Sequence, residues 1–183
     1  MTRTSALGDL VVLDLSHALA GPFASTMLGD YGAEILKIEP LDGEIARRWG
    51  PPFYGDEAAY FVNLNRNKKS VALDLKHPDG KALFFRLLEG TDVVLENLRV
   101  GSVGRLGIDY DRVRARQPRI VYCAVSGFGQ DGPYRDRAAL DLVVQAESGM
   151  MSITGEPGGR GVDRKSTRLN SSHSDRSRMP SSA

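Results

Sequence analysis

The chain has 183 residues, of which 41% are hydrophobic and 26% charged, proportions typical of a globular domain with an apolar core. No apolar run approaches the roughly 20 residues needed to span a bilayer, and the first residues lack the basic-then-apolar order of a secretion signal. Cys123 is the single cysteine, which excludes an intramolecular disulfide and predicts a reducing, cytoplasmic location.

The net charge of +1 is unevenly distributed along the chain. Residues 164–183 carry five Lys or Arg and one acid, and seven of these twenty residues are serine. So few apolar side chains cannot offset the entropy of ordering, which predicts a disordered tail. The tail resembles translated sequencing-adapter read-through more than a native basic arm, so we expect the natural gene to continue past about residue 163. The body before it has a net charge of −3, which argues against nucleic-acid binding by bulk charge.

The first third of the body alternates between strand-like and helix-like runs. An apolar, β-branched run predicts a buried strand over 10–16, and a helix is predicted over 20–32. A second strand is predicted over 33–40. The polar stretch over 41–57 is rich in Gly and Pro, which predicts a long loop of functional interest.

The same alternation continues to the middle of the chain. Strands are predicted over 70–76, 92–98 and 120–129, with a helix over 77–90 and another in the second half of 102–118. Repeated strand–helix–strand units predict an α/β fold with a Rossmann-like parallel sheet and flanking helices. A ligand site is then expected at the carboxyl ends of the strands.

The stretch "GFGQDG" at 127–132 fits the G-x-G-x-x-G pattern of dinucleotide-binding loops. Pro133 and polar residues follow it instead of an apolar helix start, and the strand before it is the fifth rather than the first. A flexible loop at a strand end is therefore the favoured interpretation.

Basic residues cluster at 65–70, and Arg99 and Arg105 follow the fourth predicted strand. They form either a solvated rim or a set of cations around a phosphate-rich ligand. His17 ends the first strand and is interpreted as a structural histidine, although ligand contact fits its position. No grouping of residues has metal-ligand spacing, so no metal is predicted.

Asp141 is a single carboxylate inside the apolar run "AALDLVV" at 138–144. It falls in the first turn of a helix predicted over roughly 139–147. One interpretation is helix capping, which favours Asp. The other is a nucleophile, kept ionised by the helix start and shielded from water by its apolar neighbours. The residues alone leave both open.

Four ordered stretches resemble the family III CoA transferases, a group that includes formyl-CoA transferase and carnitine CoA-transferase. The resemblance covers about residues 8 to 162. The stretches are "VLDLSHALAGPFASTMLGDYGAEILKIEP", "NRNKKSVALDLKHPDGK", "DVVLENLRVGSVGRLGID" and "YCAVSGFGQDGPYRDRAALDLVVQAESGMMSITG".

The resemblance implies that residues 1–163 are the N-terminal part of a CoA-transferase large domain. It assigns Asp141 as the nucleophile that passes coenzyme A from an acyl-CoA to a carboxylic acid, through an aspartyl anhydride and an aspartyl-CoA thioester. Coenzyme A is then a substrate, no prosthetic group is needed, and the full-length parent is an interlocked homodimer. The residues implied to bind coenzyme A are Leu19, Ala20, Leu73, Asp74, Leu75, Lys76, Asn97, Leu98, Arg99 and Arg105.

The sequence departs from the family pattern at Pro40, where some relatives carry an arginine that meets the nucleotide. In this chain such a contact is either missing or supplied by Arg47 or Arg48. An α-methylacyl-CoA racemase is an alternative, but those relatives place a histidine where this chain has Leu140, which cannot move a proton. A third alternative is an inactive CoA-binding fragment of low stability, because strands that expect the rest of the large domain would stay unpaired.

Overall fold

The computed structural model describes residues 5–155 and residue 159, and it divides the chain into two compact units, residues 1–136 and 137–183. The predicted tail at 164–183 lies outside the described residues. Within the described ranges, no helix is long and apolar enough to cross a membrane.

The first unit contains seven strands among its described residues. They are β1 (Val11–Asp14), β2 (Glu34–Glu39), β3 (Phe53–Tyr54), β4 (Glu57–Ala58), β5 (Lys68–Ala72), β6 (Val93–Glu96) and β7 (Val121–Ala124). Five of them form a sheet in which every pairing is parallel, which confirms the predicted fold class. The strand order is β5-β2-β1-β6-β7, so the order reverses direction between β1 and β6. A separate two-stranded hairpin, β3 with β4, lies at the end of the segment predicted as a long loop.

The helices of the first unit are α1 (Ala20–Asp30), α2 (Ala59–Leu64), α3 (Pro78–Leu88), α4 (Ser102–Leu106) and α5 (Tyr110–Arg116), with a 3-10 helix at Ile45–Arg48. Capping residues mark where these helices begin and end. Pro78 is the first residue of α3, and the His77 side chain accepts a hydrogen bond from the Asp79 amide. The helix predicted in the second half of 102–118 is α5. The shorter helix α4 precedes it and was not predicted; it ends where Gly107 adopts a left-handed conformation.

The core lies on both faces of the sheet, because successive strand residues point to opposite sides. On one face, Leu13 and Val94 pack with Phe84 of α3 and Val113 of α5. On the other face, a smaller cluster is packed against Leu28 of α1. It contains Val12, Ala33, Ile35 and Leu95. Helices therefore flank both faces, as the alternating pattern predicts.

Gly80 and Gly104 differ in how closely other parts of the chain approach them. A Cβ on Gly80 would lie 2.1 Å from the Asp74 carbonyl oxygen, whereas one on Gly104 meets nothing within 4 Å. We expect Gly80→Ala to lower the free energy of unfolding by about 1–3 kcal/mol through overpacking. Gly104→Ala should raise it by about 0.5–1 kcal/mol, because alanine is the better helix former. Urea denaturation measures both, and equal signs would contradict the close approach.

The second unit, described by itself, contains α6 (Asp141–Glu147) and a 3-10 helix at Met150–Ile153. Gly149 joins them in a left-handed conformation, with φ of 78°. An ion pair of 2.7 Å joins Arg137 Nη2 to Glu147 Oε1. The helix predicted over 139–147 is therefore present, and Asp141 is its first residue.

Candidate functional site

The carboxyl ends of β1, β2 and β6 surround a cavity of about 330 Å³. It lies where the strand order reverses, which is the usual ligand position in an open parallel α/β sheet. Its walls come from the residues after β1, the end of β2, the segment 42–48 and Leu98 after β6. The predicted ligand site would lie at this edge, and Leu98 is the residue of the predicted coenzyme A set that lines the cavity.

Lys37 is a charged residue that the sheet buries beneath this cavity. Only 1% of it is exposed. Its ammonium donates to the Ser16 carbonyl at 2.7 Å and pairs with Glu44 Oε2 at 2.8 Å. A buried ammonium needs such partners, because isolated burial of charge is very costly. The pair ties the end of β2 to the segment 42–48, which forms one wall.

Arg47 is engaged in a network of its own beside that wall. Its guanidinium contacts both oxygens of buried Glu39 at 2.6 and 2.7 Å, and donates to Glu57 at 2.6 Å. It also lies over the Phe61 ring, 3.9 Å from its centroid. Arg48, by contrast, is exposed and lines the cavity. Arg48 is therefore better placed than Arg47 to meet a ligand in the role that arginine has at the position of Pro40 in some relatives.

Glu39 makes this network sensitive to acid. Burial by itself raises the pKa of a carboxyl, but the bonds from Arg47, Ser70 and the Glu44 amide outweigh it and lower the pKa of Glu39 from 4.5 to about 2. The stabilisation is complete above pH 4.5 and is lost as the pH falls towards 2. We expect the urea midpoint to depend less on pH in Glu39→Gln across this window. Glu89→Gln, at an exposed site, should keep the wild-type dependence of the urea midpoint on pH. Equal pH dependence of the midpoint in both variants would contradict the lowered pKa of Glu39.

Asp14 is the centre of a second buried network, on the α1 side of the same edge. The carboxylate is fully buried and accepts bonds from the Ser16 amide at 2.8 Å, the Ser16 hydroxyl, and the Ser25 hydroxyl at 2.5 Å. Lys68 Nζ lies 3.1 Å away. Burial opposes ionisation, yet the lysines and hydroxyls prevail and hold the pKa of Asp14 below its usual value.

His17 is placed in the cavity wall, although it was interpreted as a structural histidine. Burial, reinforced by the nearby Lys37 ammonium, lowers the pKa of the imidazole against the opposing effect of Glu44 and Asp14. The sequence signal for this residue was its place directly after the first strand. Lys37 and Glu44 were missed because charged residues are usually assigned to the surface.

The residues implied to bind coenzyme A all follow the carboxyl ends of strands. Leu19 and Ala20 are exposed where α1 begins, and Leu98 lines the cavity. Leu73 is buried in the core, so its side chain packs against Phe84 and its neighbours. The side chain of Asn97 is bound to the backbone of His17. The remaining residues of the set are intermediate or exposed: Asp74, Leu75, Lys76, Arg99 and Arg105.

Asp141 belongs to the second unit and is the first residue of α6, after the N-cap Leu140. Its Oδ2 accepts a bond of 2.7 Å from the side-chain amide of Gln145, one turn further along, and Gln145 is buried. An amide donor orients a carboxylate without neutralising its charge. Contrary to the expectation of apolar shielding, Asp141 is exposed, and so are Leu140 and Leu142. The apolar neighbours are present in the sequence but do not enclose the carboxylate.

Among the residues that the structure describes, 5–155 and 159, no group of three or more His, Cys, Asp or Glu side chains could hold a metal ion. Cys123 is exposed on β7 as a free thiol.

The parallel sheet and the cavity at its reversal point define an α/β protein with an opening at the strand ends. The solved structure of a CaiB/BaiF family protein from Brucella suis is similar, with a TM-score of 0.84 and 38% identity over 88% of this chain and 44% of its own. Residues 7–169 match the model of CoA-transferase family III, and the chain belongs to this family.

Named relatives are CoA-transferases. The chain is 45% identical to the succinate–glutarate CoA-transferase of Agrobacterium fabrum over 86% of its length. It is 43% identical to the human succinyl-CoA:glutarate CoA-transferase over 87% of its length, and 41% identical to a formyl-CoA:oxalate CoA-transferase of Streptomyces avermitilis over 83%. The chain spans about two fifths of the length of these relatives, 36–41%.

Proposed function

We propose that the protein transfers coenzyme A from an acyl-CoA thioester to a carboxylic acid. The observation that supports this best is the family match over residues 7–169, which includes both the cavity-lining segments and Asp141. The relatives described above are named as CoA-transferases with dicarboxylic or small acyl substrates. The identity of the donor and the acceptor is left to experiment.

Asp141 is the proposed nucleophile. Its carboxylate attacks the thioester carbonyl, the carbon–sulfur bond breaks, and a mixed anhydride and CoA thiolate form. The thiolate attacks the aspartyl carbonyl, releases the donor acid, and leaves an aspartyl-CoA thioester. The acceptor carboxylate attacks this thioester, the carbon–sulfur bond breaks, and a second mixed anhydride and CoA thiolate form. The thiolate then attacks the acceptor's acyl carbon, the bond from that carbon to the Asp141 oxygen breaks, and the Asp141 carboxylate is restored. No step consumes water or a net proton.

A carboxylate suits this reaction because its anhydride and thioester have acyl-transfer potentials close to that of the substrate. A serine would form an ester, and the thioester's potential would be lost. The bond from Gln145 Nε2 to Asp141 Oδ2 supports the role, because a positioned carboxylate loses less freedom on attack.

Binding of coenzyme A is proposed at the carboxyl edge of the sheet. Lys76, Arg99 and Arg105 are exposed cations that follow β5 and β6, and exposed cations pair with phosphate. The other residues implied by resemblance to bind coenzyme A remain part of this proposal. Leu73 and Asn97 would contact the ligand through their backbone atoms. Coenzyme A serves as substrate, and no prosthetic group is proposed.

Exclusion of water from Asp141 requires additional protein surface in this proposal. Leu140 is 69% exposed and Leu142 is 56% exposed, and an anhydride beside them would hydrolyse unless they are covered. A homodimer of the parent protein, in the cytoplasm, is proposed to supply that cover. An inactive fragment is the alternative if the cover is missing.

The test is an assay of the protein expressed from its complete gene against a panel of acyl-CoA donors and carboxylic acids. Formation of a new acyl-CoA in the presence of both substrates is the expected result. The racemase alternative predicts instead that solvent deuterium enters the α-carbon of an acyl-CoA without any acceptor acid. Leu140 disfavours that outcome, because it offers no proton beside Asp141.

A further inference from the structure

The turn between β1 and α1 has an unusual backbone. Ala18 adopts a left-handed conformation with φ of 63°, which costs a residue with a Cβ about 1–2 kcal/mol. The turn also leaves the sheet, so Ser16, His17 and Ala18 need other partners for their peptide groups. These partners are side chains from four places in the chain.

Asn97 supplies two of the bonds from the residue after β6. Its Oδ1 accepts from the His17 amide at 2.9 Å, and its Nδ2 donates to the His17 carbonyl at 2.8 Å. The side-chain amide thus mimics a strand partner and bridges β1 to β6 at the point where the strand order reverses. Both functional ends of the amide are used in this bridge.

Glu44 and Lys37 hold the turn from the opposite side. Glu44 Oε1 accepts from the Ala18 amide at 2.7 Å, and the ammonium of Lys37 donates to the Ser16 carbonyl at 2.7 Å. Lys37 and Glu44 are also paired with each other. Asp14 accepts from the Ser16 amide at 2.8 Å. Several such bonds to charged side chains act on one short turn, and together they offset the strain at Ala18.

We propose that Asn97 and Glu44 are positioning residues, which clamp the β1–α1 turn in its left-handed form so that His17 and Leu19 are presented to the acyl-CoA. The inference deepens the proposed function and depends on it. It also revises the role implied for Asn97 by resemblance, because both ends of its side-chain amide hold protein backbone.

The clamp matters for binding because the turn is the wall of the cavity nearest to the predicted contacts Leu19 and Ala20. A turn released from Asn97 would relax Ala18 towards ordinary φ values and move His17 out of the cavity wall. Ligand affinity then falls, whereas Asp141, which lies in another unit, keeps its own hydrogen bond with Gln145. The expected signature is therefore an increase in KM with little change in kcat.

The experiment compares Asn97→Ala and Asn97→Asp with wild type in the full-length protein. We expect Asn97→Ala to raise KM for the acyl-CoA at least about tenfold, with kcat within about threefold, and to speed hydrogen exchange at the His17 and Ala18 amides of the free protein. Asn97→Asp keeps the acceptor and loses the donor, so a smaller increase is expected. Asn97→Asp also keeps the proposal testable if Asn97→Ala does not fold.

Gln117→Ala is the matched control. The Gln117 side chain also bridges backbone, donating to the Thr91 carbonyl at 3.3 Å before β6 begins, away from the cavity. Gln117→Ala should lower the free energy of unfolding about as much as Asn97→Ala does and leave KM unchanged. A raised KM with unchanged exchange at His17 and Ala18 would overturn the proposal in favour of direct ligand contact. Faster hydrogen exchange at His17 and Ala18 with unchanged KM would also overturn the proposal, because the Asn97 bridge would then hold the turn without affecting ligand binding. A wild-type protein that turns over no acyl-CoA would overturn the proposed function itself.

Discussion

Replacing Asp141 with asparagine is expected to reduce CoA transfer by at least about 10³-fold, the scale seen when a covalent nucleophile is removed. Asparagine has nearly the same shape and can still bond to Gln145, so α6 should keep its structure. What it lacks is the charged oxygen that attacks the thioester. The loss should therefore appear in kcat, with binding of acyl-CoA preserved.

Hydroxylamine makes the intermediate itself visible. An activated aspartyl group, whether anhydride or thioester, reacts with hydroxylamine to give a stable hydroxamate on that residue. We expect wild-type protein incubated with acyl-CoA and hydroxylamine to carry this adduct on the peptide that contains Asp141. Peptide mass analysis should find no adduct in Asp141→Asn.

Asp131→Asn is the control for this experiment, because Asp131 is an exposed carboxylate in the loop after β7. Its variant should transfer CoA at the wild-type rate. Full activity in Asp141→Asn, or an adduct on a different carboxylate, would contradict the assignment of the nucleophile. Loss of activity together with loss of the helical signal would point to misfolding, which the preserved binding of acyl-CoA tests separately.

Replacing Asp14 with alanine is expected to destabilise the protein by about 3–5 kcal/mol, the cost of leaving a buried charge without its partner. Lys68 would keep its bonds to the Pro22 carbonyl at 2.9 Å and to Asn65 Oδ1 at 3.0 Å, but no carboxylate would balance its charge. The hydroxyl of Ser25 would lose its shortest acceptor. Urea denaturation measures the change.

Lys69 provides a control one residue away. It pairs with Glu34 at 2.6 Å between the neighbouring strands β5 and β2, but at the surface, with side-chain exposures of 71% and 47%. Glu34→Ala should therefore cost less than about 1 kcal/mol. The double variant Asp14→Ala with Lys68→Met removes both buried charges and should recover part of the loss. Similar costs for Asp14→Ala and Glu34→Ala would contradict the assigned burial.

Much of the architecture could be predicted because it depends on local pattern. Apolar, β-branched runs predicted the five strands of the sheet, and the helix predicted over 77–90 is α3, Pro78–Leu88. All five predicted strands were longer than the observed ones, and the strand predicted over 70–76 lies instead at Lys68–Ala72. Residues such as Asn97 and Leu98 extend the predicted run after β6 ends at Glu96, and pairing between strands sets the end.

The segment over 41–57 shows where local pattern was insufficient. Its Gly and Pro content predicted a loop, yet it contains a 3-10 helix and, at its end, the hairpin of β3 and β4. Arg47 organises this segment through Glu39, which ends β2, and Glu57, which begins β4. Ion pairs of this kind depend on three-dimensional proximity, so spacing along the chain does not reveal them.

The candidate site likewise has features that the sequence predicts and features that depend on tertiary structure. The sequence by itself determined the parallel sheet, the family and the identity of Asp141 as the residue to test, because these follow from periodicity and from motifs contiguous in the chain. Only the tertiary structure decided that the Lys68 side chain is buried while that of Lys69 is exposed, that Asn97 bonds to backbone, and that Asp141 stands uncovered. Burial and pairing are properties of residues brought together from distant parts of the chain, and the same residue type has opposite consequences in water and in the interior.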